Sequence, residues 1–236
     1  MLFQNEHPRV VAEETHLLSR EHMLTSLPPV MHPLCFQDII EVGSGVLRRV
    51  LPAQKDPGNP VMQPEMPWEH GINYPSVIRD PDSGLWRMWY PCRVDGTSVV
   101  DGVSGHGVAV AESDDGVRWR RPALNRHSFG GSKENNIAHV GMSGAMMLDS
   151  SAPPEKRYRM FCNRMFKNTG CIYTQVSPDG LEWTMLRDVQ IHIRNDSQNI
   201  GLKCPYTGKW FVYHRPGWCT REVARSESSD DEGLEF

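Results

Sequence analysis

Three stretches decide the fold: Gly107–Pro122, GVAVAESDDGVRWRRP; Gly170–Thr184, GCIYTQVSPDGLEWT; and Arg221–Phe236, REVARSESSDDEGLEF. Each reads as an apolar strand, a Ser/Asp/Gly turn and then an aromatic, Trp119, Trp183 or Phe236. The third copy is looser, with Glu232 between its acids and Gly233. A second motif precedes each copy: Tyr74–Tyr90, YPSVIRDPDSGLWRMWY; Ser143–Cys162, SGAMMLDSSAPPEKRYRMFC; and Ser197–His214, SQNIGLKCPYTGKWFVYH. Here two aromatic or β-branched strands flank a polar turn. Pro presets φ in such a turn, and Asp, Ser and Gly accept its geometry. Valine, isoleucine and the aromatics suit strands packed on both faces.

A unit is therefore a strand, a hairpin, a second strand, a third strand ending in S-x-D-G, and a short outer strand at the aromatic. Four antiparallel strands in roughly 50–65 residues match the size of a propeller blade. The expected fold is all-β, a β-propeller of the five-bladed type with about three blades present. The domain reading is an N-terminal extension over 1–66 and a partial propeller over 67–236, with blades at about 67–122, 136–186 and 192–236. Propellers close with about four to eight blades, so the chain reads as the N-terminal part of a longer protein. In the extension, AEETHLLSREHMLT (12–25) predicts a short amphipathic helix. Val42–Val50 predicts a blade-closing strand.

The chain has 236 residues, 39% of them hydrophobic, enough for a core. No apolar run reaches the ~18–20 residues of a membrane-spanning helix. The net charge of −4 shows no basic field, which argues against a nucleic-acid partner. MLFQNEHPRVVAEE lacks the pattern of a signal peptide, so a cytoplasmic location is the expectation. Six cysteines form no C-x-x-C pair and read as reduced, buried hydrophobes. The ten histidines show no metal spacing; neither metal nor cofactor is expected.

The stretches 45–71, 74–90, 109–122, 156–162, 177–183 and 195–217 resemble the five-bladed propeller glycoside hydrolases, the group of invertases, levansucrases and arabinanases. More narrowly they are similar to uncharacterised bacterial proteins with an invertase-like N-terminal domain. The resemblance covers about residues 40–236. It implies carboxylates around a central pocket, where the first strands of successive blades begin. Glycosidases need two such groups, one an acid and one a nucleophile or base.

The group's N-D-P-N-G motif would fall near Trp68-Glu69-His70-Gly71-Ile72-Asn73, where Glu69 is the nearest acid. Glu69 is thus a candidate catalytic residue, an exposed loop Glu being the alternative. Trp68 is a candidate for stacking on a sugar ring, with His70 and Asn73 as polar neighbours. Asp80-Pro81-Asp82 looks like the motif but lies in a hairpin turn. Asn135, Asn136 and His139, read as preceding the second blade, are candidates for sugar hydroxyls, since amides donate and accept. Before the third blade Asp196 matches the Asp of an Arg-Asp-Pro motif, though Asn195 is inserted and Pro is missing. Asp196 is the leading catalytic candidate, with Asn199 nearby for binding. The general acid of the group comes from a later blade. The functional expectation is a carbohydrate-active hydrolase with a saccharide substrate. A non-catalytic glycan-binding propeller is the alternative, and a sialidase-like one, needing arginines such as Arg79, Arg194 and Arg215, the third.

Overall fold

The computed structural model describes residues 52–94, 105–141, 144–166, 169–193, 195–216 and 221–236; within the strands, the side chains of 164–166, 169–170, 187–190 and 195–197 are not described. The helix expected over 12–25 and the strand expected over 42–50 lie outside the described residues, as do Cys35, Arg194 and Cys219. By contacts the chain divides into Met1–Gln54 and Lys55–Phe236, and every described strand belongs to the second unit.

That unit is all-β. Eleven strands follow one another as β1 (Ser76–Arg79), β2 (Trp86–Cys92), β3 (Gly107–Ser113), β4 (Ile137–Val140), β5 (Met146–Leu148), β6 (Tyr158–Phe166), β7 (Thr169–Ser177), β8 (Thr184–Ile191), β9 (Asn195–Lys203), β10 (Trp210–Pro216) and β11 (Ala224–Glu227). They form three antiparallel sheets in chain order: β1-β2-β3-β4, β5-β6-β7-β8 and β9-β10-β11. One 3₁₀ turn, Pro154–Lys156, is the sole helical piece among the described residues. Strands that neighbour one another in a sheet are also consecutive in the chain and run antiparallel, as a meander requires, though residues 114–136 intervene between β3 and β4.

The hairpin and S-x-D-G turns are built by their own side chains. Asp80 Oδ1 accepts the amides of Asp82 (3.0 Å) and Ser83 (2.8 Å). Asp80 and Asp82 therefore sit in the β1–β2 turn, as their position after Arg79 predicted. In the first S-x-D-G turn Ser113 Oγ accepts from Gly116 N at 2.9 Å, and Asp115 Oδ1 accepts from Val117 and Arg118 N at 2.9 and 2.8 Å. Ser177 and Asp179 repeat these bonds to Gly180, Leu181 and Glu182. Both turns put glycine at positive φ, 76° at Gly116 and 73° at Gly180, a conformation that costs a side-chain-bearing residue about 1–2 kcal/mol. In the third, longer turn Asp230 reaches Leu234 N at 3.0 Å.

The sheets pack face to face through a repeated joint. From the second strand of one sheet, a residue pair grips the turn of the next. Arg87 Nη1 donates to Asp179 O at 2.8 Å, and Trp89 Nε1 donates to Gly180 O at 2.7 Å. One sheet on, Arg159 Nη1 donates to Glu232 O at 2.5 Å, and its guanidinium lies 4.3 Å from the Trp210 ring. Phe161 takes the place of Trp89 and packs edge-on against Trp210 and Phe236. Between the first two sheets the core is Trp89, Val108, Val110, Met146, Tyr158, Met160 and Tyr173. Between the second and third it is Phe161, Ile172, Trp210 and Val212. The remaining face of the first sheet, Met88, Tyr90, Ala109, Ala111 and Ile137, is covered by Met62, Trp68, Ile72, Trp119 and Phe129.

One placement differs from the sequence reading. Residues 137–140 do not open a second unit. They form β4, the outer strand of the first sheet, with Val108 opposite His139 and Ala109 opposite Ile137. The second sheet begins at Met146 instead. The reason is distance along the chain: residues 114–136 separate β4 from β3, so no local turn ties it to the first sheet, and the three-residue β5 is too short to show a period. Cys92, Cys162 and Cys171 are buried and Cys204 is half-buried.

Candidate functional site

The segment 61–73 reaches the first sheet through one buried polar network. Glu69 has a side chain of 0% exposure. Its Oε1 accepts from Tyr90 Oη at 2.5 Å and Arg121 Nε at 2.8 Å. Its Oε2 accepts from the amides of Glu65 (2.9 Å) and Met66 (3.1 Å) and from Arg121 Nη2 (3.0 Å). Burial opposes the charge, but these five donors outweigh it and hold the carboxyl below its ordinary value. Burial, and next the Glu69 carboxylate, push the Tyr90 phenol far up, so it stays a donor. Tyr90 Oη in turn accepts from Asn136 Nδ2 at 2.7 Å, whose second bond goes to Val110 O at 2.7 Å. Asn136 Oδ1 accepts from Trp68 Nε1 at 2.8 Å. Every polar group in the chain from Trp68 to Arg121 is thus engaged.

Three of the sequence candidates, Trp68, Glu69 and Asn136, therefore meet in space, but as an anchor that ties 61–73 to β2, β3 and β4. A carboxylate saturated by five donors and closed from solvent is chemically unsuited to giving or taking a proton. Tyr90 and Arg121 complete the network, and sequence reasoning missed both: they lie 21 and 52 positions from Glu69, so no local spacing links them. Trp68 also packs on Phe129, with ring centroids 5.8 Å apart. Asn135 is buried, donating to His127 O at 2.8 Å and accepting from Ile137 N at 3.0 Å. His139, on β4, has Nε2 buried without a partner, and burial, with His127 nearby, brings its pKa down to about 4.

The first strands of the three sheets converge elsewhere. Met146 N donates to Ser76 Oγ at 2.9 Å, joining β5 to β1. Ala145 N donates to Asn199 O at 3.0 Å, joining β9 to the approach to β5. Gln198 Nε2 donates to Tyr74 O at 3.0 Å, joining β9 to the approach to β1. Tyr74, Trp89, Gly144, Met146 and Gln198 line a narrow crevice at this convergence. Tyr74 is 60% exposed and has φ +48°, a region few non-glycine residues enter. His70 and Asn73, both exposed, precede it in the chain. Asn199 is buried, its Nδ2 bonded to Phe161 O (3.3 Å) and to Asn163 Oδ1. Asp196 lies on β9 opposite Arg215, and its side chain is not described. Of the sequence candidates, Asp196 and Asn199 lie on β9 and Asn73 just ahead of β1, at this end of the first strands, while no contact among the described residues brings His70 to it. Tyr74 was not anticipated; a proline after it, as in Tyr74-Pro75, reads only as extended chain.

A second concavity, about 550 Å³, opens between Met147–Ser151 and Gly201–Cys204, toward the other ends of β5 and β9. Lys203 Nζ spans it to Asp149 Oδ2 at 3.2 Å. Arg79 points into its own hairpin, donating to Gly84 O at 3.1 Å, so it does not join Arg215 in the arginine set a sialidase-like site requires. Among the described residues no group of three metal-ligating side chains occurs, and no helix is long and apolar enough to cross a membrane.

No family model and no curated protein matches the chain. Among solved structures it is similar to an N-acetylgalactosamine deacetylase from F. plautii, solved with blood group B trisaccharide, at 11% identity and a TM-score of 0.47, over 75% of this chain and 54% of that one. It is similar also to a glycosyl hydrolase from Bacteroides ovatus, at 14% identity and a TM-score of 0.48, over 75% of this chain and 55% of that one. The chain spans about half the length of each structure, and likenesses this distant carry no statement about its chemistry.

Proposed function

We propose that the three sheets are consecutive blades of a β-propeller and that the protein acts on carbohydrate, hydrolysing a glycosidic bond at the convergence of β1, β5 and β9. The observation that carries this reading is Tyr74, an exposed aromatic at positive φ where all three first strands begin, with Gln198 bonded to its carbonyl and His70 and Asn73 just before it in the chain. An aromatic face beside amide donors and acceptors suits a sugar, whose ring stacks while its hydroxyls bond. In this reading Asp196 is the catalytic carboxylate on the chain, and Glu69 shapes the site as an anchor. The second reading, a non-catalytic glycan-binding propeller, is favoured by one observation: the Glu69 carboxylate is fully engaged.

Calorimetric titration with a panel of oligosaccharides, alongside hydrolysis of nitrophenyl glycosides, tests both. On the hydrolase reading Tyr74→Ala weakens binding at least tenfold, and Asp196→Asn abolishes turnover while binding persists. Binding without turnover in the wild type leaves the lectin-like reading. No saccharide bound by the wild type, or full binding by Tyr74→Ala, overturns the assignment of this site.

A further inference from the structure

The β1–β2 and β9–β10 hairpins are the same turn with the acid exchanged for a thiol. The first reads Asp80-Pro81-Asp82-Ser83-Gly84-Leu85 and the second Cys204-Pro205-Tyr206-Thr207-Gly208-Lys209. In both, the first residue's amide donates to the carbonyl of the sixth at 2.8 Å, and the glycine amide donates back to the carbonyl of the first at 2.9 Å. In the first hairpin three donors converge on Asp80 Oδ1: the amides of Asp82 and Ser83 and the Ser83 hydroxyl. In the second, the amides of Tyr206 and Thr207 and the Thr207 hydroxyl converge on Cys204 Sγ. Two successive amides make a cradle for negative charge, and here it holds a sulfur. The Thr207 hydroxyl first, and then the two amides, bring the thiol below its ordinary value, against burial and the Glu227 carboxylate.

Cys204 lines the concavity of about 550 Å³ together with Asp149, Ser151, Lys203 and Trp210, a volume in the range of small-ligand sites. The charge it offers is positive. Asp149 has a side chain 9% exposed, and its oxygens are taken by Ser151 N, Ser151 Oγ and Lys203 Nζ. Lys203 is 30% exposed and spends two of its three hydrogens, on Asp149 and Ser151. Trp210 gives the independent sign of a ligand. It is 2% exposed, it lines the concavity, and its indole Nε1 is buried with no partner among the described residues. Tyr158 stands opposite Ser177 as Trp210 bonds Ser228, and Tyr158 gives its hydroxyl to Asp80 of the hairpin before it. For Trp210 the hairpin before it offers Asp149, which is already occupied. A buried donor left in this way is satisfied when a bound group brings the acceptor.

We propose that Cys204 is a reactive cysteine and that this concavity receives a small disulfide bearing a carboxylate, with a ligand sulfur at Cys204 and the carboxylate on the side of Lys203 and Trp210. Cys204 loses its proton to solvent and its sulfur attacks one sulfur of the disulfide. The new S–S bond forms as the ligand's own breaks, and the other half leaves as a thiolate that takes up a proton. The disulfide is the oxidant: the Cys204 sulfur is oxidised and the leaving half reduced. The site lies toward the opposite ends of β5 and β9 from Tyr74, so it stands or falls apart from the saccharide reading.

The test is modification of the full native chain, read by mass spectrometry on the peptide that carries Cys204. The rate with iodoacetamide should rise with pH about a midpoint below the ~8.5 of a free cysteine. Thr207→Val should raise that midpoint and slow the reaction at pH 7 by about threefold or more. Dithiodiglycolate should form its mixed disulfide with Cys204 about fivefold faster or more than the uncharged hydroxyethyl disulfide, each rate divided by that of a free cysteine peptide. Lys203→Met should erase this preference. The wild type decides by itself, whether or not the variants fold. A midpoint at or above the free value, a Cys204 that reacts only after unfolding, or equal normalised rates for the two disulfides overturns the proposal.

Discussion

Replacing Glu69 by Gln tests whether this carboxylate is an anchor. The substitution keeps the shape and removes the charge. Glu69 receives five hydrogen bonds, three on Oε2 and two on Oε1. A glutamine must turn its amide toward one of these sets. Toward the Oε1 side it opposes Arg121 Nε; toward the Oε2 side it opposes two backbone amides and Arg121 Nη2. Either way Arg121, whose side chain is 12% exposed, loses its buried counter-ion. Breaking a buried, hydrogen-bonded ion pair from one side costs about 3–5 kcal/mol, a large part of the ~5–15 kcal/mol that holds a domain together. At a urea slope near 2 kcal/mol/M, the unfolding midpoint falls by about 1.5–2.5 M, followed by tryptophan fluorescence. The pH dependence adds a second readout. The folded carboxyl titrates below the unfolded value of 4.5. Its stabilisation is therefore complete above pH 4.5 and fades as pH falls through the folded value, so wild type and variant converge in acid. A midpoint shift below about 0.5 M at pH 7, or a gap that does not narrow below pH 4.5, would refute the anchor assignment. Lost turnover with unchanged stability would return Glu69 to the catalytic role expected from its place in the sequence.

Other predictions concern the joints. Gly180→Ala places a Cβ 2.5 Å from Trp89 Cζ2 at a φ of +73°, whereas Gly84→Ala, at +72°, meets nothing within 4 Å. Gly180→Ala should cost about 1–3 kcal/mol more than Gly84→Ala in urea unfolding; equal costs would mean that the Trp89 contact does not carry the joint. Tyr158→Phe removes the 2.6 Å bond to Asp80 Oδ2 across the first two sheets and should cost about 1–3 kcal/mol. Asp80 titrates at about 2 rather than 3.8 because, against burial, the Tyr158 bond leads the lowering causes. Its contribution is complete above pH 3.8 and is lost toward pH 2. Acid unfolding should begin at higher pH in Tyr158→Phe, and an unchanged acid midpoint would count against that bond.

The strand-turn repeats, the all-β class and the self-bonded Asp and Ser turns were legible in the sequence because their causes are local: alternation, Pro and Gly placement, and side chains within three residues of the amides they accept. The S-x-D-G glycines needed no partner to be read, since a positive φ is a demand of the turn itself. What the turns grip was not legible. Trp89 meets Gly180 and Arg159 meets Glu232 across 91 and 73 positions, and only the stacking of sheets sets such pairs. The same holds for the candidate site. Glu69 was picked for its place near the resembled motif and Asn136 for its amide, and the bonds that Tyr90 and Arg121 make to Glu69 could not be read from either. The short β5 strand carried no period, so the border between the first two sheets came from hydrogen bonding and not from pattern. Tyr74 stands out by its backbone angle and exposure, which its neighbours in sequence do not predict.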